Sequence, residues 1–232
     1  MRKLTQLTLS IAALSLVFSA LPVAAQMTGS RFGKNAGKKD IPALMRLMAE
    51  CIVTRRHELV VTWFNTLPGS VEEDRLLTTQ LGDFGLCLED RLLVMGDFSE
   101  LSVTPKSVRF PLALAMARKQ LGKAKDLPVI PKGSDPWFTT KLAQVTGASK
   151  VDRGQLAFQD FGHCVALADW VGARMLVLAE PKTKAEAAAI NQLKPVLGPC
   201  LDQNAKINLT AANLRTALAE PMVHILLAGS GS

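Results

Sequence analysis

The stretch "LPGSVEEDRLLTTQLGDFGLCLED", residues 67–90, returns about half a chain later as "EPKTKAEAAAINQLKPVLGPCLDQ", residues 180–203. With residue 51 set over residue 164, the match runs without a gap through residue 88. Cys51, Pro68, Glu73, Gly85, Cys87 and Leu88 fall on Cys164, Pro181, Glu186, Gly198, Cys200 and Leu201. The two cysteines of each copy are equally far apart. Further on, after a shorter connection in the second copy, Thr104, Arg109, Leu112 and Ala113 align with Thr210, Arg215, Leu218 and Ala219. The pattern implies tandem duplication of a unit of roughly 75 to 80 residues, a size that needs stapling or a partner to be robust.

Each unit reads as helical. Leu44, Leu47, Met48, Cys51 and Ile52 recur at the spacing of one helix face, and Ala157, Phe161, Cys164 and Val165 keep that face, with Asp160 the one departure. A second helical stretch carries Val60, Trp63, Phe64 and Leu67, matched by Ala173, Leu176 and Val177, and is expected to end at Pro68 and Pro181. Ser70 with Glu73 and Thr183 with Glu186 form capping boxes, in which the hydroxyl accepts from the third amide and the glutamate reaches back to the cap amide. That helix is expected to stop at Gly82 and Pro195, then Gly85 and Gly198. A last helix starts at Thr104 and at Thr210, since threonine caps and Pro105 suits a first helical position. Pro221 is expected to bend or end the second version. The expectation is an all-α fold: a tandem duplication of a three- to four-helix unit, each with one internal disulfide.

The N-terminus places the chain. Arg2 and Lys3 precede an apolar run from Leu7 to Val23, and Val23-Ala24-Ala25 offers small residues for cleavage, so residues 1–25 read as a signal peptide. The expected location is periplasmic or secreted, where cysteines oxidise. Four cysteines allow three pairings, and the repeated spacing favours Cys51 with Cys87 and Cys164 with Cys200. By the chain-entropy model a loop of this length stabilises by about 3 to 4 kcal/mol. Residues 26–40 form a flexible basic arm with Arg31, Lys34, Lys38 and Lys39; 41–120 are unit 1; 121–153 are a connector with a short helix from near Pro136 to Gly147; 154–228 are unit 2; and 229–232 are a flexible tail.

Chemistry is harder to read. The chain has 27 basic and 20 acidic side chains; with Arg2 and Lys3 in the leader, the excess that remains is mildly basic. Without interleaved aromatics or a nucleic-acid module, no nucleic acid is expected; an envelope protein or an anionic envelope surface is the expected kind of partner. No phosphate loop, nucleophile elbow or zinc-protease motif is present. No catalytic, cofactor-binding or metal residue is assigned, and no cofactor is expected. His57 beside Glu58 reads as a surface pair, and His224 has no partner in view. Arg109 and Arg215, the charged residues repeated besides Glu73 and Glu186, read as ion pairs with Glu89 or Asp202, with an anion clamp as the alternative. Trp137 and Phe138 are expected to pack into the groove between units, with an exposed aromatic anchor for a partner as the alternative.

These motifs, Pro-x-Ser/Thr-x-x-Glu, Gly-x-Cys-Leu and Arg-x-x-Leu-Ala, make the chain resemble uncharacterised secreted alpha-proteobacterial proteins with duplicated cysteine-pair helical units. The resemblance covers residues 49–115 and 162–220 and implies secretion and duplication, with no activity to transfer. Lys182 in place of Gly69 and Pro195 in place of Gly82 depart from the first copy. The functional expectation is a non-catalytic binding or envelope-associated helical protein. Its alternatives are an envelope hydrolase with a site between the units and a peripheral binder of anionic membrane.

Overall fold

The computed structural model describes residues 30–31, 41–80, 87, 100–101, 105–123, 135–145, 150–201 and 208–229. Helices α1 (Ile41–Arg55) and α2 (His57–Phe64) are followed by α3 (71–80), α4 (Pro105–Leu121) and the short α5 (Thr139–Gln144). Then come α6 (Arg153–Ala168), α7 (Trp170–Leu178), α8 (Lys184–Cys200) and α9 (Ala211–Gly229). Among the described residues the fold is all-α apart from one two-residue antiparallel pair, Ser30–Arg31 with Glu100–Leu101. Ser30–Arg31 falls within the expected basic arm; the rest of 26–40, and the signal-peptide region, lie outside the described residues.

Both disulfides form as the spacing favoured. Cys51–Cys87 and Cys164–Cys200 each span a sequence separation of 36 with Cα atoms 5.7 Å apart, ordinary disulfide reach. In each half the first helix breaks at an aligned position. Arg56 leaves helical geometry between α1 and α2, while Asp169 separates α6 from α7, its Oδ1 accepting from Gly172 N at 2.9 Å. The second break turns the chain by 116°. Helices α2 and α7 end at Phe64 and Leu178, a few residues before Pro68 and Pro181.

The two halves share one apolar core. Trp63, Phe64 and Leu112 from the first half join Val165, Leu176 and Leu218 from the second in a single buried cluster, assembled where α9 packs on both α4 and α6 and α4 packs on α1. A smaller cluster of Leu67, Phe138, Val151 and Leu156 lies beside it, so Phe138 packs between the halves as expected. The connector helix is shorter than expected, and Gly147 lies outside the described residues.

Pro195 departs from the expectation, and Pro199 and Pro221 also lie inside helices. Helix α8 continues through Pro195 to Cys200 rather than stopping. Both Pro195 and Pro199 are exposed, so water can take the carbonyls they leave unbonded, while Leu193, Val196 and Leu197 keep the inner face packed. Helix α9 likewise runs past the buried Pro221 to Gly229. Proline at 221 has no N–H to give the Ala217 carbonyl one turn earlier, and Gly162 of α6 packs against that carbonyl so closely that any Cβ at 162 would collide with it. The absent hydrogen bond is thereby used as a close-approach point between α6 and α9, with the glycine Cα–H facing the freed oxygen.

Replacing Gly162 with Ala should therefore force α6 and α9 apart and cost about 1 to 3 kcal/mol or more. A urea midpoint equal to the parent's would contradict this packing.

Candidate functional site

Three of the capping hydroxyls do what the sequence predicts. Ser70 Oγ accepts from Glu73 N at 3.2 Å, Thr183 Oγ1 from Glu186 N at 3.2 Å, and Thr210 Oγ1 from Asn213 N at 3.1 Å. Thr104 lies outside the described residues. The glutamates depart from the expected box, because each reaches one residue beyond the cap. Glu73 Oε2 accepts from Gly69 N at 2.5 Å and Glu186 Oε2 from Lys182 N at 2.6 Å. The reason is the left-handed turn: Gly69 has φ 71° and Lys182 φ 63°, which points the amide before the cap at the carboxylate, while the Ser70 amide is taken by the Leu67 carbonyl at 3.0 Å. Lysine in the left-handed region is strained where glycine is not.

With one oxygen so held, the other faces inward and meets the repeated arginine. Arg109 Nη1 donates to Glu73 Oε1 at 2.5 Å, and Arg215 Nη2 to Glu186 Oε1 at 2.5 Å. The expected partners Glu89 and Asp202 lie outside the described residues; the structure pairs the arginines with the capping glutamates, the other repeated charges. Sequence reading had assigned those carboxylates wholly to their helix starts. Each guanidinium also binds the end of the preceding segment: Arg109 Nη2 donates to Thr66 O at 2.9 Å, and Arg215 Nε to Leu176 O at 3.1 Å.

The first copy adds groups the second lacks. Trp63 Nε1 donates to Glu73 Oε1 at 2.6 Å. Arg109 Nε and Nη2 grip Glu220 of α9 at 3.0 and 2.5 Å, so a guanidinium of the first half is bound bidentately by a carboxylate of the second. Arg109 is 0% and Glu220 1% exposed. Burial alone would depress the Arg109 pKa, but Glu220 and then Glu73 push it above the ordinary value. Burial would raise the Glu220 carboxyl, yet Arg109 and His224 hold it below the usual range. In the second copy the Arg215 hydrogen bond, then that from Lys182 N, lowers Glu186.

His224, one turn after Glu220, acquires the partners that the sequence left out of view. Its Nε2 lies 3.9 Å from Glu220 Oε1, and its ring stacks on Trp137 with centroids 4.1 Å apart and planes 12° from parallel. Trp137 Nε1 donates to Gln159 Oε1 at 2.9 Å. Burial pushes the imidazole pKa below its ordinary value, and the attraction of Glu220 does not restore it. His57 pairs with Glu58 at 3.3 Å on the surface, as expected. Sequence gave no signal for Glu220 or His224, because neither occupies a repeated position.

Among the described residues no group of three His, Cys, Asp or Glu side chains is placed to hold a metal ion, and no single helix is long and apolar enough to cross a membrane. Chemically, the clusters neutralise buried charge and join helices. Comparison with protein-family models, curated proteins and solved structures gives no match.

Arg109→Met should cost about 3 to 5 kcal/mol, since it strands two buried carboxylates; Arg215→Met, which strands only Glu186, should cost less, and equal losses in urea denaturation would contradict the difference. Stability should also fall with pH in two steps. His224 has a folded pKa below 6.5, so the unfolded chain takes up the proton first and stability drops as pH falls below that value. Glu220 and Glu186 have folded values below 4.5, so their contribution is complete above it and is lost as pH falls through the folded values. A thermal midpoint that stayed level from neutral pH to about pH 5 would contradict the first step, and one that stayed level from about pH 5 to about pH 2 the second.

Proposed function

We propose that the chain is a non-catalytic, extracytoplasmic helical protein, built by tandem duplication, that binds a partner at the cell envelope. The observation that carries this reading is where the repeated chemistry goes. Every charged residue kept in both halves, Glu73, Arg109, Glu186 and Arg215, is buried in an ion pair that ties a helix start to a neighbouring helix. What duplication preserved is therefore the means of holding a helical frame, and none of these charges is left facing solvent for turnover. Two disulfides suit an oxidising compartment, in agreement with the leader-like N-terminus. The aligned left-handed residues, caps and disulfides support the duplication.

The test is expression of the full chain in a bacterium. Processing should give a protein beginning at Gln26 in the periplasm or medium, with separate Cys51–Cys87 and Cys164–Cys200 peptides in non-reducing maps, that co-sediments with isolated envelopes and leaves cell-wall glycans, peptides and lipid esters uncut. An intact Met1 in the cytoplasm would overturn the placement, and turnover of an envelope polymer lost on substituting one polar side chain would put the hydrolase in its place.

A further inference from the structure

The groups around His224 are not needed to neutralise Arg109, which already has Glu73 and Glu220. They meet instead under residues 135–145, the segment that carries Trp137 and α5. We propose that this segment is an acid-released strap, held over His224 by the Trp137 stack while the imidazole is neutral and freed when it takes up a proton. The proposal is independent of any envelope partner.

Charged and polar groups reach His224 from four elements. Glu220 lies on its own helix, Arg109 on α4, Lys141 on α5, and Gln159 of α6 is joined to it through Trp137. Among the described residues Glu220 is the carboxylate that acts on the ring, and its oxygens already receive the Arg109 guanidinium. Burial is the largest effect opposing a proton on His224, Arg109 and Lys141 add to it, and Glu220 draws the proton without restoring the ordinary pKa. The Nε2 atom is buried without a hydrogen-bond partner in the closed arrangement, and so is Gln159 Nε2 across the indole. Lifting the strap would give both nitrogens to water, and the hydrated imidazole would regain its ordinary proton affinity. Because the open form binds the proton more tightly, acid must shift the equilibrium toward it.

The strap can yield before the rest of the molecule. Helix α5 buries none of its own residues, and the described contacts of the segment are Phe138 buried in the small cluster with Trp137, Leu142 and Val145 half-buried against it, the Trp137 stack and its bond to Gln159, and Lys141 Nζ donating to Asn65 O. The helices beneath share the large core and the disulfides. So small a hold belongs to the low end of local opening free energies.

The experiment is acrylamide quenching of tryptophan fluorescence in the mature, disulfide-intact protein between about pH 8 and pH 5, spanning the histidine range. Trp137→Phe identifies the share that comes from Trp137. Quenching of that share should rise severalfold as pH falls, with a midpoint below 6.5, while the far-UV helix signal stays constant. His224→Phe, which retains an aromatic ring and removes the proton site, should abolish the rise; should it fail to fold, His224→Asn serves, because it removes the titration and leaves quenching independent of pH. An unchanged Trp137 signal in the parent, the same rise in the folded variant, or a rise that coincides with loss of helix would each overturn the strap.

Discussion

A buried guanidinium is tolerable only if its charge and its donors are met inside the protein, and Arg109 turns that requirement into architecture. Its partners lie at the end of α2, at the start of α3 and on α9. Satisfying it fixes the chain entering the capped helix, the helix that follows, and a helix from the opposite half of the molecule. Arg215 repeats the first two connections through Leu176 and Glu186 and lacks the third. The difference between the arginines is Glu220, and it lies in the shared core between α4 and α9.

That core explains why two units with nearly identical local plans need not be equal. A unit of this size closed by one disulfide has little apolar interior of its own. Packing α9 on both α4 and α6 gives each half the other's apolar face, and the Gly162 contact on the Ala217 carbonyl sets how close α6 and α9 come. The contact depends on Pro221, a residue that weakens an isolated helix and here leaves open the carbonyl that a neighbour covers.

Much of this was legible in the sequence, for a physical reason. Helix periodicity, capping hydroxyls and cysteine spacing are local codes, and each of them occurs twice along the chain, so the helices, Ser70, Thr183 and both disulfide pairs were legible there. The partners of Arg109 and Arg215 could not be found in this way. Glu73 and Glu186 had already been explained by their cap positions, and nothing local shows that a carboxylate has a second oxygen to spare. Glu220 and His224 belong to one copy only and meet Arg109 and Trp137 across the fold. Pro195 misled because the rule that stops a helix assumes the freed carbonyl has nowhere to go; in α8 that carbonyl belongs to the exposed Asn191, open to solvent, and in α9 the carbonyl freed by Pro221 faces Gly162.

The left-handed turn before each cap links these levels. At residue 69 glycine takes the conformation without strain, and a Cβ there would press on the Lys150 carbonyl at 2.7 Å, so the first copy has two reasons to keep glycine. At residue 182 the side chain is exposed, and the conformation alone is at issue, which a lysine can bear at a cost of about 1 to 2 kcal/mol. That cost is borne because the turn aims the Lys182 amide at Glu186, which leaves the other Glu186 oxygen for Arg215. The backbone sign of one residue thus decides whether a capping glutamate ends its role at the helix start or becomes the anion that a buried arginine requires.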